Sequence, residues 1–478
     1  MTSFVELVAL VGIVVLVASL LSGVLERRRI PIVAVFLALG FVLGPYALGL
    51  IDVGFDAPAL RALSTLALVL VLFSDAVTLD LGQIRLRKPL VLRLLGPGTL
   101  GPGLLIAVAG QWLLGLSWPA AAILGAALAS TDPVLLRAVL RARSLPEAAR
   151  TALRMEAGMN DVVLLPIVVL SVLLLGGAAH GGAAGEITRG ELLRSVLALF
   201  VLGPGVGALI GGAGIVLLGR VRERFGLRRD YESLYALGLA FSAYAAAEAL
   251  GGSGFVAAFA AGLLVASQDV ELCDCFLEFG EATAEMLLLL TFVALGTTLI
   301  WTGLGVIDGP TLLFALVALT ARTVVLYPVL SGLGLTRREH LLIALLGPRG
   351  LSSLLLVLLA VFAGVPGAQG LFSITCLVVL LSVVLHGAAI AILLPAEDSA
   401  RPGPAPAARR HDDAIPQSIT IDETRAAQAR GEPVVILDVR REKGFREDPR
   451  LPGGALRVDP VHALEDVEGL GVPRNATL

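Results

Sequence analysis

Apolar runs of about twenty residues recur from Phe4 to Leu394, divided by short polar connections. A run of that length crosses a hydrocarbon core of about 30 Å as an α-helix. In such a medium each segment must satisfy its own backbone N–H and C=O groups, and uninterrupted apolar runs do so only as helices. The spans fall near residues 4–25, 31–50, 59–79, 90–116, 119–140, 150–176, 192–219, 232–250, 253–267, 283–306, 310–333, 339–362 and 370–394, about thirteen in all. With 56% hydrophobic residues, 16% charged and a mean hydropathy of +0.89, the chain is too apolar for a soluble globule. The expected class is an all-α polytopic membrane protein.

Lys and Arg collect on the cytoplasmic side of such proteins. Basic clusters follow the odd-numbered spans one (Arg27 to Arg29), three (Arg85, Arg87, Lys88), five (Arg141, Arg143, Arg150), seven (Arg220 to Arg229) and eleven (Arg337, Arg338). That alternation places the N-terminus outside and the C-terminus in the cytoplasm. The ninth connection, Gln268 to Glu281, is expected as an acidic loop without a basic residue. Met1 to Glu6 lacks the basic start of a secretory signal, so the first span is expected to be retained. Three cysteines, Cys273, Cys275 and Cys376, make no disulfide framework, and a Cys-x-Cys pair without a nearby His is a poor metal site. The formal charge of -3 says little about partners, and no basic aromatic surface argues for nucleic acid. No Gly-rich phosphate loop with a Lys is present, so no ATP site and no cofactor are expected.

Function becomes readable where charge enters the apolar spans. Met155-Glu156-Ala157-Gly158-Met159-Asn160-Asp161 opens a stretch with no other charged residue to Leu175. A carboxylate at bilayer depth costs several kcal/mol unless it is neutralised, paired or wetted, and so marks a cation or proton site. Span five carries a third acid in Ala129-Ser130-Thr131-Asp132-Pro133. Pro133 removes an N–H and frees preceding carbonyls, which are expected to be able to bind a cation. A Pro kink capped by Ser130 and Thr131, with Asp132 compensating a half-helix dipole, competes with that reading. At about 100° per residue, Asp161 lies roughly 140° from Glu156 but only about 40° from Ala157. One acid can therefore line a cavity while the other turns to a buried base. Arg322 and Arg349 are the candidate bases, and each must find an acid.

These residues resemble the sodium/proton exchangers and bacterial antiporters of the monovalent cation/proton antiporter superfamily, over roughly residues 4 to 395. The resemblance rests on Leu72-Phe73-Ser74-Asp75 ahead of Leu79-Asp80, on Ser130-Thr131-Asp132-Pro133-Val134, and on the Glu-x-x-x-Asn-Asp run ending at Asp161. Ala247-Glu248-Ala249-Leu250-Gly251-Gly252-Ser253-Gly254 and Arg349-Gly350 complete it. It implies an inverted-repeat fold in which spans five and twelve are broken and cross, the second break near Gly347-Pro348-Arg349-Gly350. It also implies a core domain that moves against a dimerisation domain, a homodimer, and a bacterial inner membrane location. Carried onto this chain, it makes Asp161 the carboxylate that binds cation and proton in turn, with Asn160 and Thr131 offering oxygens. Asp132 balances dipoles, Asp75 stands near the cavity, Glu156 pairs with Arg322, and Arg349 is structural or gating. Ala157 departs from the pattern, which usually has Ser there, so a hydroxyl ligand is missing. The implied function is electroneutral exchange of Na⁺ for H⁺, a transporter and not an enzyme. Potassium/proton exchange and a sodium-coupled organic-anion transporter are the alternatives.

Beyond Pro395, residues 396–417 form a Pro-rich flexible linker. Residues 418–478 resemble the first half of a rhodanese domain, with a helix at Asp422 to Arg430, a strand at Val434-Val435-Ile436-Leu437, and then Asp438-Val439-Arg440 and Leu451-Pro452-Gly453-Gly454. That family's catalytic Cys has no counterpart after Cys376, so sulfur transfer is not expected. His180 reads as a solvated loop residue, and His340 and His386 as helix-end residues.

Overall fold

The computed structural model describes residues 11–18, 20, 32–79, 84, 87–140, 145–179, 189–225, 229–268, 270–393, 435–438 and 455–458. Asp80, His180, the linker 396–417 and the expected helix Asp422 to Arg430 lie outside the described residues. The chain divides into two compact units, Met1–Glu397 and Asp398–Leu478.

In the first unit, after helical residues 11–18, α1 (Ile32–Leu43) and α2 (Pro58–Val77) precede α3 (Lys88–Leu95), which passes through a π-helical turn into α4 (Gly101–Leu114). Then come α5 (Trp118–Ala129), α6 (Pro133–Leu140), the long α7 (Glu147–Ala179), and α8 (Arg189–Leu197), which passes through a second π-turn into α9 (Gly203–Phe225). The series ends with α10 (Arg229–Ala249), α11 (Gly254–Gln268), α12 (Val270–Thr297), a 3₁₀ segment Leu299–Val306, α13 (Gly309–Val329), α14 (Arg337–Leu345), α15 (Leu351–Phe362) and α16 (Ala368–Leu393). Both π-turns, Gly96–Leu100 and Ala198–Leu202, run directly into a Gly-Pro-Gly, at Gly101-Pro102-Gly103 and Gly203-Pro204-Gly205. The proline cannot bond four residues back, and a wider turn accommodates the missing N–H without breaking the helix.

Among the described residues, six helices are long and apolar enough to cross a membrane, or seven if the pair Ala282–Thr297 and Leu299–Val306, bent by 50°, is one span. Shorter apolar helices, α1, α5, α11 and α15, fall below that length. Two of these, α5 and α15, are halves of the segments expected to be interrupted, so a length criterion undercounts where the chain breaks. Close helix contacts rely on glycine, because lipid supplies little drive for helices to associate and van der Waals approach must do so. A Cβ on Gly40 would strike the backbone of Val293 and Gly296, joining α1 to α12, and one on Gly125 would strike that of Gly103, joining α5 to α4.

One expectation is overturned. The acidic connection Gln268 to Glu281 is not a loop, because α12 begins at Val270 and runs through it. Val270 to Phe279 contains neither Gly nor Pro, and Glu is a good helix former. In the second unit, β1 (Leu437–Asp438) pairs in parallel with β2 (Leu456–Arg457), with Leu437 opposite Leu456. The strand foreseen at Val434 to Leu437 lies slightly later.

Candidate ion-binding site

Two prolines build the site. Pro133 starts α6 after the non-helical Ser130-Thr131-Asp132, and Pro348 lies in the non-helical residues 346–350 between α14 and α15. In an unbroken helix their nitrogens would donate to the carbonyls four residues earlier, Ala129 and Ala344. Both carbonyls are satisfied by arginine instead. Arg349 Nη1 donates to Ala129 O at 2.7 Å and to Ser130 O at 2.9 Å, and Arg322 Nη1 donates to Ala344 O at 2.8 Å. The expectation that the carbonyls freed by Pro133 could hold a cation is therefore corrected at Ala129 and Ser130, where a guanidinium already occupies them. Arg349 was also expected to need an acid; the bonds seen from its Nη1 go to backbone carbonyls.

The two breaks are stitched directly. Asp132 N–H donates to Pro348 O at 2.9 Å, while its carboxylate accepts from Leu351 N at 2.5 Å and from Leu135 N at 3.2 Å. Asp132 thus sits over the first N–H groups of both second half-helices, where the helix dipoles favour negative charge. The chain must approach closely here, since a Cβ on Gly350 would fall on the Asp132 carboxylate. Gly350→Ala is expected to displace that carboxylate and destabilise the protein by about 1–3 kcal/mol, read as a lower melting midpoint in detergent together with weaker exchange.

Asp161 and Asn160 project from α7 onto the first break. Ser130 Oγ donates to Asp161 Oδ1 at 2.5 Å, and Asn160 Nδ2 donates to Thr131 Oγ1 at 2.7 Å. All four residues are buried, and Asn160 Oδ1 has no hydrogen-bond partner among the described residues. No Lys, Arg or His is paired with Asp161 among the described residues. Five residues earlier on the same helix, Glu156 faces away and takes Arg322 in a bidentate pair, Nε to Oε1 at 2.8 Å and Nη2 to Oε2 at 2.6 Å, both side chains buried. Asp75, half-buried on α2, has its carbonyl 3.7 Å from where a Cβ on Gly158 would stand. It therefore approaches α7 three residues before Asp161. Ala157 lies in an apolar cluster with Leu136, Val139 and Leu153.

Sequence reasoning did not find the partners of Ser130, His386 and Glu248, and it missed Ser382. Ser130 was read only as a cap, yet its hydroxyl is on Asp161. Ser382 Oγ accepts from Arg349 N at 2.7 Å and meets His386 Nδ1 at 3.0 Å. His386, the last residue of the apolar span Ala368–His386, is thus a buried partner of the second break. Glu248 Oε1 accepts from Gly254 N at 2.8 Å, which caps α11 across the Gly251-Gly252-Ser253 turn. Only the Ser-Thr-Asp-Pro spacing pointed toward the first of these.

The family model for the transmembrane sodium/hydrogen exchanger matches residues 12–396. The chain belongs to that family. Among similar proteins, a K(+)/H(+) antiporter NhaP2 from Shewanella sp. (strain ANA-3) is 28% identical over 383 residues, covering 78% of this chain and 64% of the relative. The K(+)/H(+) antiporter NhaP2 of Shewanella baltica (strain OS223) is 26% identical over 460 residues, 93% of this chain and 77% of that one. The K(+)/H(+) antiporter NhaP of Alkalimonas amylolytica is 27% identical over 387 residues, 80% and 65% respectively. This exchanger-family chain therefore spans just under two thirds of the length of several named relatives. Those relatives are transporters by name, not enzymes. In fold, the chain is similar to the sodium proton antiporter MjNhaP1 from Methanocaldococcus jannaschii at pH 8, with a TM-score of 0.64 at 22% identity, covering 81% of this chain and all of that one.

Proposed function

We propose that this chain is a secondary active transporter that exchanges a monovalent cation for H⁺, the two ions competing for Asp161. The observation that carries the reading is a buried carboxylate held by a hydroxyl while the basic side chains near it are engaged elsewhere, Arg322 by Glu156 and Ala344, Arg349 by Ala129 and Ser130. An unpaired carboxylate at this depth is costly to move, whereas its proton-bound or cation-bound form is neutral. Translocation limited to the neutral forms couples one ion to the other without ATP. Asn160 beside Asp161, in place of a second acid, leaves one titratable group in the pair and so favours one-for-one electroneutral exchange. Thr131 and Asn160 offer oxygens to the cation, Asp132 balances the half-helix dipoles, and Asp75 borders the approach.

Na⁺ is the first reading for the cation. K⁺ is the second, favoured by the K(+)/H(+) names of the relatives. About thirteen spans, inverted repeats, a homodimer whose core domains move against a dimerisation domain, and a bacterial inner membrane orientation with the N-terminus outside complete the proposal. Residues 418–478, joined through 396–417, form a partial rhodanese-like cytoplasmic segment, a reading supported by the parallel pair of β1 and β2.

The test is reconstitution into liposomes carrying a pH dye. Addition of Na⁺, K⁺ or Li⁺ is expected to move protons without a current. A transport current that reverses with voltage contradicts electroneutrality, and sodium-driven uptake of an organic anion without proton movement contradicts exchange.

A further inference from the structure

The backbone of Ser130 is pinned on both sides. Its N–H donates to Ala126 O at 3.3 Å and its C=O accepts from Arg349 Nη1 at 2.9 Å. The residue is wholly buried, and its hydroxyl rests 2.5 Å from Asp161 Oδ1. Beside it, Asn160 has committed its amide N–H to Thr131 Oγ1, while Asn160 Oδ1 is buried without a partner among the described residues. Position 157, where the resemblance leads one to look for a hydroxyl, faces the apolar cluster of Leu136, Val139 and Leu153. The hydroxyl at Asp161 therefore comes from the facing chain break and not from Asp161's own helix.

We propose that Ser130 is an alternating ligand of the ion site, donating its hydroxyl hydrogen to Asp161 in the empty carrier and turning a lone pair to the cation or the carboxyl proton in the loaded one. The inference deepens the exchange reading and rests on it. A hydroxyl carries one donor and two acceptor sites, whereas an ionised carboxylate only accepts and a protonated one also donates. Ser130 thus matches the empty, proton-bound and cation-bound forms by rotating one O–H, with its backbone still. With Asn160 Oδ1 it adds two neutral oxygens to the charged pair on Asp161, a set suited to a hard monovalent cation. Thr131 Oγ1 accepts from Asn160, whereas the Ser130 hydroxyl rests on the Asp161 carboxylate itself.

The test measures exchange rate against cation concentration in proteoliposomes for the full chain and for Ser130→Ala, Ser130→Thr and Ser130→Cys. Ser130→Ala is expected to raise the apparent KM for Na⁺ and K⁺ about tenfold, the equivalent of 1.4 kcal/mol, with the maximal rate changed less than KM. Ser130→Thr, which keeps the hydroxyl, is expected to stay near the wild-type KM. Ser130→Cys keeps the size but substitutes a soft, weak ligand, and is expected to shift preference toward Tl⁺ relative to K⁺. If Ser130→Ala fails to fold, the Thr and Cys variants decide. An unchanged KM in Ser130→Ala, a loss confined to maximal rate, or an unchanged Tl⁺ to K⁺ ratio in Ser130→Cys overturns the proposal. An inactive Asp161→Asn beside an unaffected Ser130→Ala removes only this inference, whereas an active Asp161→Asn removes the exchange reading beneath it.

Discussion

Asp161→Asn is expected to reduce cation/proton exchange to the level of protein-free vesicles while leaving the protein as stable as the wild type, or more so. The amide is nearly isosteric and can still accept the Ser130 hydroxyl through its carbonyl, so the local packing survives. What disappears is the ability to take up a proton or balance a cation, and burying a neutral amide costs less than burying an ionised carboxylate. A melting curve in detergent beside the transport assay separates the two effects. Unchanged melting with abolished exchange is the expected combination, and exchange at the wild-type rate is the contrary one.

The opposite pattern is expected at Glu156. Arg322 reaches it with two of its nitrogens and uses a third to close the carbonyl left open by Pro348. Glu156→Gln strands a guanidinium that is always charged, at a cost of about 3–5 kcal/mol for breaking a buried pair. A protein only about 5–15 kcal/mol more stable than its unfolded state has little margin for that loss. The variant is expected to yield little folded material and a sharply lowered melting midpoint, measured by heating followed by size-exclusion chromatography. Glu156→Gln combined with Arg322→Met removes the stranded charge and is expected to recover most of that midpoint. It leaves Ala344 O with Thr323 Oγ1 alone, at 3.1 Å, so recovery is incomplete. A double variant no more stable than Glu156→Gln contradicts the assignment of the loss to an uncompensated charge.

Much of this arrangement is legible in the residues because helical geometry is fixed. The separation of Glu156 and Asp161 by about 140° follows from 100° per residue, and the structure turns one toward Arg322 and the other toward Ser130. Pro133 and Pro348 mark the two interruptions because a ring nitrogen cannot donate at any depth. What closes each interruption is not legible, since it depends on residues far apart in sequence. Arg349 and Ala129 are 220 positions apart, and Arg322 and Ala344 belong to different helices. The freed carbonyls therefore looked available to a cation when they are held by arginine. The same limit hid the bond of Ser130 to Asp161 and that of Ser382 to Arg349, whose partners lie on other segments of the chain. The misread connection at Gln268 to Glu281 has another origin: acidic composition marks solvent exposure and does not prevent a helix from extending past the apolar region.

The central claim is that one carboxylate serves two ions in turn, and it is tested most directly by counting protons released when a cation binds to the purified protein in weakly buffered detergent. On this account the wild type releases protons on addition of Na⁺ or K⁺, to an extent that falls at high pH where the site is already bare, and Asp161→Asn releases none. Cation binding to the wild type without proton release, or equal release from Asp161→Asn, would contradict it.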